Sequence, residues 1–510
     1  MKSFILPDKV HPADLTHAGQ NNFLVRIETA RQKNQKFYDT FDWRIYHAGY
    51  FLIKEEERYV LISSDTGEEL AATEWRNHEH AGFWHDFPPG SLRKKIRQPA
   101  GLRALIELTE ISATVQTFAI LNRDEKTVLR ACLAEIDLLR SRQEPKKLNL
   151  ILVNPIRGYG AEFTEFCRVL NQNGCRLLSK PVYEIIIESA GKHPGDYSSK
   201  LKIELQPDEP ASIALPKILS HLLSVMRCNE EGIIADIDTE FLHDFRVAVR
   251  RTRSAITQIR GVLPKTVTGR FKKEFSALGK WTNRLRDLDV YLLKEKQYLT
   301  MLPADLRPGL KPLFQSMRTQ RKAEHDNFVQ QLHSPAYGQI VSAWEDFLHS
   351  LKQEETEEAE NSRKPVYELA REIIYKQYKK VVRDGVSIHP ATPDGELHRL
   401  RIQCKKLRYL LEFFTSLFPA EDMAGLIKHF KKLQDNLGEL NDLSLQQQYL
   451  KEYLQQEDRR DKDAKYSCAA IGGLMAVLDN RQKQVRQNFS AIFNAFHNEE
   501  NRALFKKLFG

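Results

Sequence analysis

The sequence predicts a protein of at least two domains, an N-terminal α+β domain built mainly from antiparallel strands and an all-helical C-terminal domain. Three observations support this prediction. Short β-rich runs separated by turn signals fill about the first 200 residues. Helical patterns then continue almost without interruption to the end of the chain. A match of the helical region with itself, at an offset of 155 residues, divides that region into two halves.

The composition is that of a soluble globular protein. The 510 residues are 41% hydrophobic and 28% charged, and the length accommodates two or three cores. No apolar run approaches the roughly 18 residues that span a bilayer, and MKSFILPDKV is a poor signal peptide. Six scattered cysteines without a CxxC pair predict neither a disulfide framework nor structural zinc, so we expect a reducing cytoplasm.

The N-terminal domain, residues 1–205, is predicted from strand-like runs. Turn signals separate these runs, among them DTG at 65 and NRDE at 122. One helix is predicted at 161–172, where an Asn-Gly pair closes it. The predicted strands are FLVRIETA at 23, YFLIKEEERYVLIS at 50, TVQTFAIL at 114, TVLRACLAEI at 127, KLNLILVNPI at 147 and VYEIIIE at 182.

The helical domain is predicted at 210–505, after a proline-rich boundary. Its halves are predicted at about 210–352 and 364–505, and the acidic segment EETEEAENS at 354 between them is a solvated linker or a helix end. The predicted helices are 212–228, 240–260, 268–300, 309–333, 337–352, 364–383, 395–417, 421–456 and 462–496.

The internal match brings together two basic motifs, LHDFRVAVRRTR at 242 and LHRLRIQCKKLR at 397. The register holds for some 46 residues without a gap, which excludes chance similarity between two basic helices. His243–Arg286 contains twelve Lys/Arg against two acids, and His398–Lys432 contains eight against three. Together these stretches carry more positive charge than the net +9 of the whole chain, and such concentration favours a polyanionic partner.

On a helix of about 100° per residue, each motif separates an apolar stripe from a row of cations. The stripe residues of the two motifs are Phe245, Val249, Thr252, Ile256 and Ile259, and Leu400, Cys404, Leu407, Leu411 and Phe414. The row residues are His243, Arg246, Arg250 and Arg253, and His398, Arg401, Lys405 and Arg408. Like charges in one row repel, and acids are sparse nearby, so we expect an external anion in a groove or pore that both rows face.

The sequence leaves two interpretations open for the roles of several charged residues. A basic helix face can be a solvated surface, although repetition at identical spacing disfavours this. His243 lies near the predicted helix start, where it can be a packed, hydrogen-bonded histidine or an anion contact with a pH dependence near about 6.5. Lys280 maps to Asp435, which indicates a structural ion pair or an asymmetric groove. Asp287 and Asp442 keep their sign, and we expect each to orient a neighbouring arginine.

Both motifs, together with RLRDLDV at 284 and LQDNLGELNDLS at 433, resemble the CHAD family, the conserved-histidine α-helical domain. The resemblance covers about residues 210–505 and implies two four-helix bundles around a basic pore or groove. It implies inorganic polyphosphate as the ligand, with polyphosphate granules and their proteins as further partners, and no cofactor. The eight row residues would then contact phosphate. Weaker candidates for the same role are Arg251, Lys406, Lys273, Lys428 and Lys432.

Three N-terminal segments are similar to the CYTH family, which implies a triphosphate tunnel: FYDTFDWRIYHAG at 37, RGYGAEF at 157 and LLSK at 177. An active tunnel of that family opens with an ExExK strand whose carboxylates hold a divalent metal. The corresponding strand here is Lys2–Leu6, which contains no carboxylate. We therefore expect an inactive domain, with no catalytic residue and no metal site.

The sequence thus predicts a non-catalytic protein that binds inorganic polyphosphate in the cytoplasm. The first alternative is a metal-dependent triphosphatase or polyphosphatase, which requires at least two carboxylates that converge on a metal. The second alternative is a nucleic-acid-binding protein. It is less favoured because Tyr409 is the lone motif aromatic that could stack on a base.

Overall fold

The computed structural model forms two compact units, Met1–Ser198 and Ser199–Gly510. Residues 354–358 of the predicted acidic linker lie outside the described part of the chain. The structure describes residues 2–7, 23–75, 82–139, 147–353, 359–456 and 462–510.

A single antiparallel sheet organises the described part of the N-terminal unit. Its strands are β1 Lys2–Ile5, β2 Leu24–Thr40, β3 Tyr50–Glu55, β4 Arg58–Ser63, β5 Glu69–Glu74, β6 Leu105–Leu121, β7 Thr127–Leu138, β8 Lys147–Pro155 and β9 Arg176–Leu177. The order across the sheet is β5-β4-β3-β2-β6-β7-β8-β1-β9. Strands β2 and β6 pair along their lengths, from Leu24 opposite Leu121 to Thr40 opposite Leu105.

Four helices accompany this sheet: α1 Arg44–His47, α2 Ser91–Ala100, α3 Gly160–Gln172 and α4 Val182–Ser189. The helix predicted at 161–172 is confirmed as α3. The strand predicted at 182 is wrong, because VYEIIIES forms α4 instead. Three consecutive isoleucines favour a strand locally, but as a helix the segment buries Ile186 and Ile187 against the sheet, and this packing decides the outcome.

A large apolar cluster lies between α4 and the face of the sheet that packs on it, and Gln35 donates to Glu55 over 2.5 Å on the same face. The ring of Tyr183 in α4 lies 5.8 Å from that of Phe37 in β2 and 5.6 Å from that of Phe51 in β3. Burial raises the pKa of Tyr183 to about 12, and the charges of Glu55 and Cys132 contribute to this increase. Strands β3 and β7 therefore both approach the same helix, which means that the sheet curves around α4.

The second unit is all-helical in its described residues, as predicted. Its helices are α5 Ala211–Ile234, α6 Thr239–Gln258, α7 Lys265–Trp281, α8 Asn283–Leu293, α9 Glu295–Thr300, α10 Lys311–Leu332, α11 Pro335–Gln353, α12 Val366–Val386, α13 Asp394–Phe413, α14 Ala420–Gln456, α15 Lys462–Gln487, α16 Phe489–Phe496 and α17 Glu499–Phe509. Short 3₁₀ helices occupy Ala304–Leu310 and Thr415–Leu417. None of the described helices is long and apolar enough to cross a membrane.

Two long predicted helices are interrupted in the structure. The segment predicted at 268–300 forms α7, α8 and α9, and its first break is at the fully buried Thr282. The hydroxyl of Thr282 donates to the carbonyl of Gly279 over 3.0 Å, and this local bond competes with continuation of the helix. The segment predicted at 462–496 breaks at Asn488, and the terminal helix α17 was not predicted.

Helix starts recur at the offset of the sequence match. Ala211 and Val366 begin α5 and α12, and Lys265 and Ala420 begin α7 and α14, each pair 155 residues apart. Helices α6 and α13 share this offset at both ends and contain 20 residues each. The arrangement of these helices as two four-helix bundles stays a prediction.

Candidate functional site

Helix α6 places one basic row beside a buried stripe. Its start is fixed by Asp238, whose carboxylate accepts from the backbone N–H of Glu240 over 2.8 Å. The predicted stripe is confirmed, since all ten of its residues in α6, α13 and the residues directly after them are buried. Because the stripe of each helix faces the core, the row beside it lies at the edge of the core.

Helices α6 and α13 contact each other, and this contact brings four cations together. We call this set the cation cluster; its members are Arg246, Arg250, Arg401 and Lys405. Burial lowers the pKa of Lys405 to about 7, and the charges of Arg401, Arg250 and Arg246 lower it further. The lysine therefore lies among three arginines drawn from both helices, which is the meeting of the two rows that the sequence predicts.

Arg246 is held in place by neutral acceptors. Its guanidinium donates to the carbonyl of Gly279 over 3.4 Å, to the Asn283 Oδ1 over 3.0 Å and to the hydroxyl of Thr282. Burial is the main cause that lowers the pKa of Arg246 to about 10, and the positive charge of Arg250 contributes to the same decrease. Because these three contacts orient the guanidinium without neutralising it, Arg246 retains a positive charge that an anion can meet.

Arg250 and Arg401 are half-buried and each has an incomplete set of hydrogen bonds. The Nε of each lies buried with no hydrogen-bond partner among the described residues. Burial lowers the pKa of Arg401, and the charge of Arg250 lowers it further. The negative charge of Asp442 acts in the opposite direction and raises this pKa. A buried donor without a partner is costly, so both arginines are suited to an acceptor such as a phosphate oxygen.

Other predicted cations lie in a cleft that opens beside α7 and α12. We call it the lysine cleft; its volume is about 880 Å³. Among its described lining residues the only acid is Glu372, which already accepts from Lys364 over 2.5 Å. Its cations are Arg253, Arg260, Lys272, Lys273, Lys280, Lys376, Lys380 and Lys406.

Five of these cleft cations are not among the predicted site residues: Arg260, Lys272, Lys280, Lys376 and Lys380. Lys376 and Lys380 are one helical turn apart in the segment YKQYKK of α12, and that spacing is a signal for a basic helix face. The repeat did not point to them because His221 and Val225 stand at the equivalent positions.

Two predicted contacts are engaged by a carboxylate of the protein. Arg251 is 2.6 Å from Glu412, and Arg408 reaches the other oxygen of the same carboxylate over 2.6 Å. Arg251 also donates to the carbonyl of Ser199 over 2.8 Å. The structure thus supplies an internal counter-charge for these two arginines, whereas the hydrogen bonds of Arg246 in the cation cluster go to neutral groups.

The remaining predicted residues are the two histidines and two lysines of α14. His398 is exposed and its Nδ1 is 2.9 Å from the Asn441 Oδ1, while His243 is half-buried in the first turns of α6. Lys428 and Lys432 are exposed on α14 and do not line the lysine cleft.

Comparison with known proteins identifies the helical unit. The sequence model of the CHAD domain matches residues 217–451, so the C-terminal unit contains a CHAD domain. The crystal structure of the CHAD domain from the plant Ricinus communis is similar at 27% identity and a TM-score of 0.48, over 58% of this chain and 94% of that chain. PptA from Streptomyces chartreusis is similar at 14% identity and a TM-score of 0.43, over 56% and 99% respectively. No curated protein matches the chain.

Proposed function

We propose that the helical unit binds inorganic polyphosphate through the cation cluster and does not hydrolyse it. One observation carries this proposal: Arg250 and Arg401 meet across α6 and α13 with buried Nε atoms that lack partners. Guanidinium groups bind phosphate oxygens in a planar, two-point manner, which makes phosphate a fitting acceptor. The resemblance of the two basic motifs to the CHAD family supports the same ligand and extends it to polyphosphate granules in the cytoplasm.

A linear polymer fits this site better than a single small anion. Positive charge extends from the cation cluster to the lysine cleft, along the same helices that carry the rows. Each phosphate that is neutralised releases counterions, by analogy with nucleic acids, so many modest contacts add up to strong, salt-dependent binding. A polyphosphate chain is flexible and uniformly charged, and it can follow such an extended arrangement.

Single-stranded nucleic acid is the less favoured polyanion. Proteins that bind it without sequence preference combine basic grooves with aromatic platforms for the bases. The described lining of the lysine cleft contains no aromatic residue. Tyr409, the predicted stacking candidate, is half-buried, with its ring 6.5 Å from that of Phe413.

We further propose that the N-terminal unit is a diverged, non-hydrolytic CYTH-like domain. Its strand β1 lacks the carboxylates that would hold a metal, and a large apolar cluster packs between α4 and the sheet. Across the described residues, no group of three or more His, Cys, Asp or Glu has an arrangement that could hold a metal ion. These features oppose the alternative of a metal-dependent triphosphatase.

Titration of the full-length protein with long-chain polyphosphate at increasing salt tests the proposed function. We expect tight binding. The logarithm of the association constant should fall linearly with the logarithm of salt concentration, as for other polyanion sites. Competition with RNA and duplex DNA at matched phosphate concentration distinguishes the two classes of ligand. Displacement of polyphosphate by either nucleic acid at equal concentration would contradict the proposal.

A further inference from the structure

Four lysines of the lysine cleft have no lysine or arginine at the equivalent positions of the other half. Lys376 and Lys380 of α12 correspond to His221 and Val225 of α5 at the offset of 155 residues. On the facing wall, Lys272 and Lys280 of α7 correspond to Ile427 and Asp435 of α14. Four cleft lysines are thus replaced by a histidine, two apolar residues and an acid.

The chain itself covers the counterpart positions. Arg251, the equivalent of the cleft residue Lys406, donates to the carbonyl of Ser199. The backbone N–H of Leu205 donates to the Ser416 hydroxyl over 3.2 Å. Burial lowers the pKa of His221, and a hydrogen bond with the backbone of Lys200 opposes that shift. The segment Ser199–Leu205 therefore lies where a second cleft would otherwise open.

From this asymmetry we infer that bound polyphosphate runs from the cation cluster into the lysine cleft and not toward the counterpart positions. The helical unit then holds a long chain at two places along one direction. This inference rests on the proposed function and adds the path of the polymer, with Lys272, Lys280, Lys376 and Lys380 as residues specific for long chains.

The cation cluster and the cleft lysines act on different groups. The charges that lower the pKa of Lys405 in the cluster are those of Arg401, Arg250 and Arg246, whereas the charges of Lys272 and Lys380 act on Lys406 in the cleft lining. The screening length at physiological salt is about 8 Å, so cations at one end have little effect on phosphates at the other. A tripolyphosphate in the cluster is therefore insensitive to the cleft lysines, whereas a long chain contacts both.

The cleft walls are accessible to such a chain. Lys272, Lys280, Lys376 and Lys380 are all exposed, so their ammonium groups are free to turn toward a ligand in the cleft. The acid in the described lining, Glu372, is paired with Lys364 and adds little repulsion. Exposed positions also tolerate substitution, and variants here are expected to fold.

The test compares long-chain polyphosphate with tripolyphosphate on full-length variants at about 0.15 M salt. We expect Lys376→Glu with Lys380→Glu to weaken long-chain binding by about tenfold or more and tripolyphosphate binding by less than about twofold. Lys272→Glu with Lys280→Glu on the facing wall should give the same pattern. The matched control is Lys379→Glu with Arg383→Glu, which reverses two exposed charges of α12 outside the cleft lining.

Three results would contradict the inferred path or the proposed function. Wild-type-like binding of long chains by both cleft variants overturns the inference and leaves the proposed function in place. An equal loss for tripolyphosphate and long chains also overturns it, because the cleft would then be part of one compact site. A wild-type protein that binds neither ligand contradicts the proposed function together with the inferred path.

Discussion

Asp287 lies within electrostatic range of Asp442, the residue at the equivalent position 155 residues later. Burial raises the pKa of Asp287 and the negative charge of Asp442 raises it further, while Arg246 opposes both. The charge of Asp442 in turn supports the protonated form of Lys405. The acids of the two halves thus lie near three members of the cation cluster, Arg246, Arg401 and Lys405.

Charge reversal in the cation cluster should abolish strong binding. We expect Arg246→Glu with Arg401→Glu to weaken polyphosphate binding by about a hundredfold or more, since two oriented contacts become repulsive. Helicity measured by circular dichroism should remain, because neither side chain belongs to the buried stripe. Lys322→Glu with Lys451→Glu, two exposed positions, is the control. Binding like that of wild type in the cluster variant would show that the contact surface lies elsewhere.

The affinity for polyphosphate should depend on pH through Lys405. The groups that face it are Arg401, Arg250, Arg246 and Asp442, and its pKa in the empty site is about 7. Affinity is therefore expected to fall as pH rises from about 6 to 8. Binding should be accompanied by proton uptake, which calorimetry in two buffers of different ionisation enthalpy measures. Lys405→Arg stays charged throughout, and its affinity should be less sensitive to pH; an unchanged profile would assign the effect to other groups.

The same lysine should make stability depend on pH. Its folded-state pKa of about 7 lies below the ordinary value of about 10.4, so the unfolded chain binds more protons between these limits. The free energy of unfolding of wild type should therefore rise by about 2 kcal/mol between about pH 7 and 9. Lys405→Met removes this rise. Urea denaturation at several pH values measures both proteins, and parallel curves would contradict the assignment.

Glu412 should contribute to stability more than to binding. It pairs with both Arg251 and Arg408, and its side chain is only 16% exposed. Glu412→Gln leaves Arg251 without its counter-charge and should lower the free energy of unfolding by about 1–3 kcal/mol. Glu421→Gln at an exposed position should change it by less than about 0.5 kcal/mol. Equal effects of the two substitutions in urea denaturation would argue against the buried pair.

The full-length protein should release no phosphate from tripolyphosphate in the presence of Mg²⁺. The metal that assists phosphoryl transfer needs oxygen ligands, and the residues of β1 are Lys, Ser, Phe and Ile. A colorimetric phosphate assay over a range of protein concentrations measures this. Release that increases in proportion to protein and requires Mg²⁺ would restore the enzymatic alternative.

Local periodicity predicted much of the helical unit. The stripe from Phe245 to Ile259 and the row from Arg246 to Arg253 follow from the 3.6-residue repeat of a helix, which needs no knowledge of distant contacts. In the N-terminal unit the same reasoning failed at α4. Its isoleucines favour a strand by propensity, and only their burial against the curved sheet makes the helix the stable choice.

By itself the sequence determined which residues are cationic, where the basic helices begin and that two such helices exist at a fixed offset. The tertiary structure decided that Arg250 meets Lys405, that Glu412 neutralises Arg251 and that lysines of α7 and α12 share one cleft. The physical reason is the separation along the chain over which each interaction acts. Hydrophobic periodicity acts over a few residues, whereas charge pairing and burial depend on segments that the fold brings together from more than a hundred residues apart.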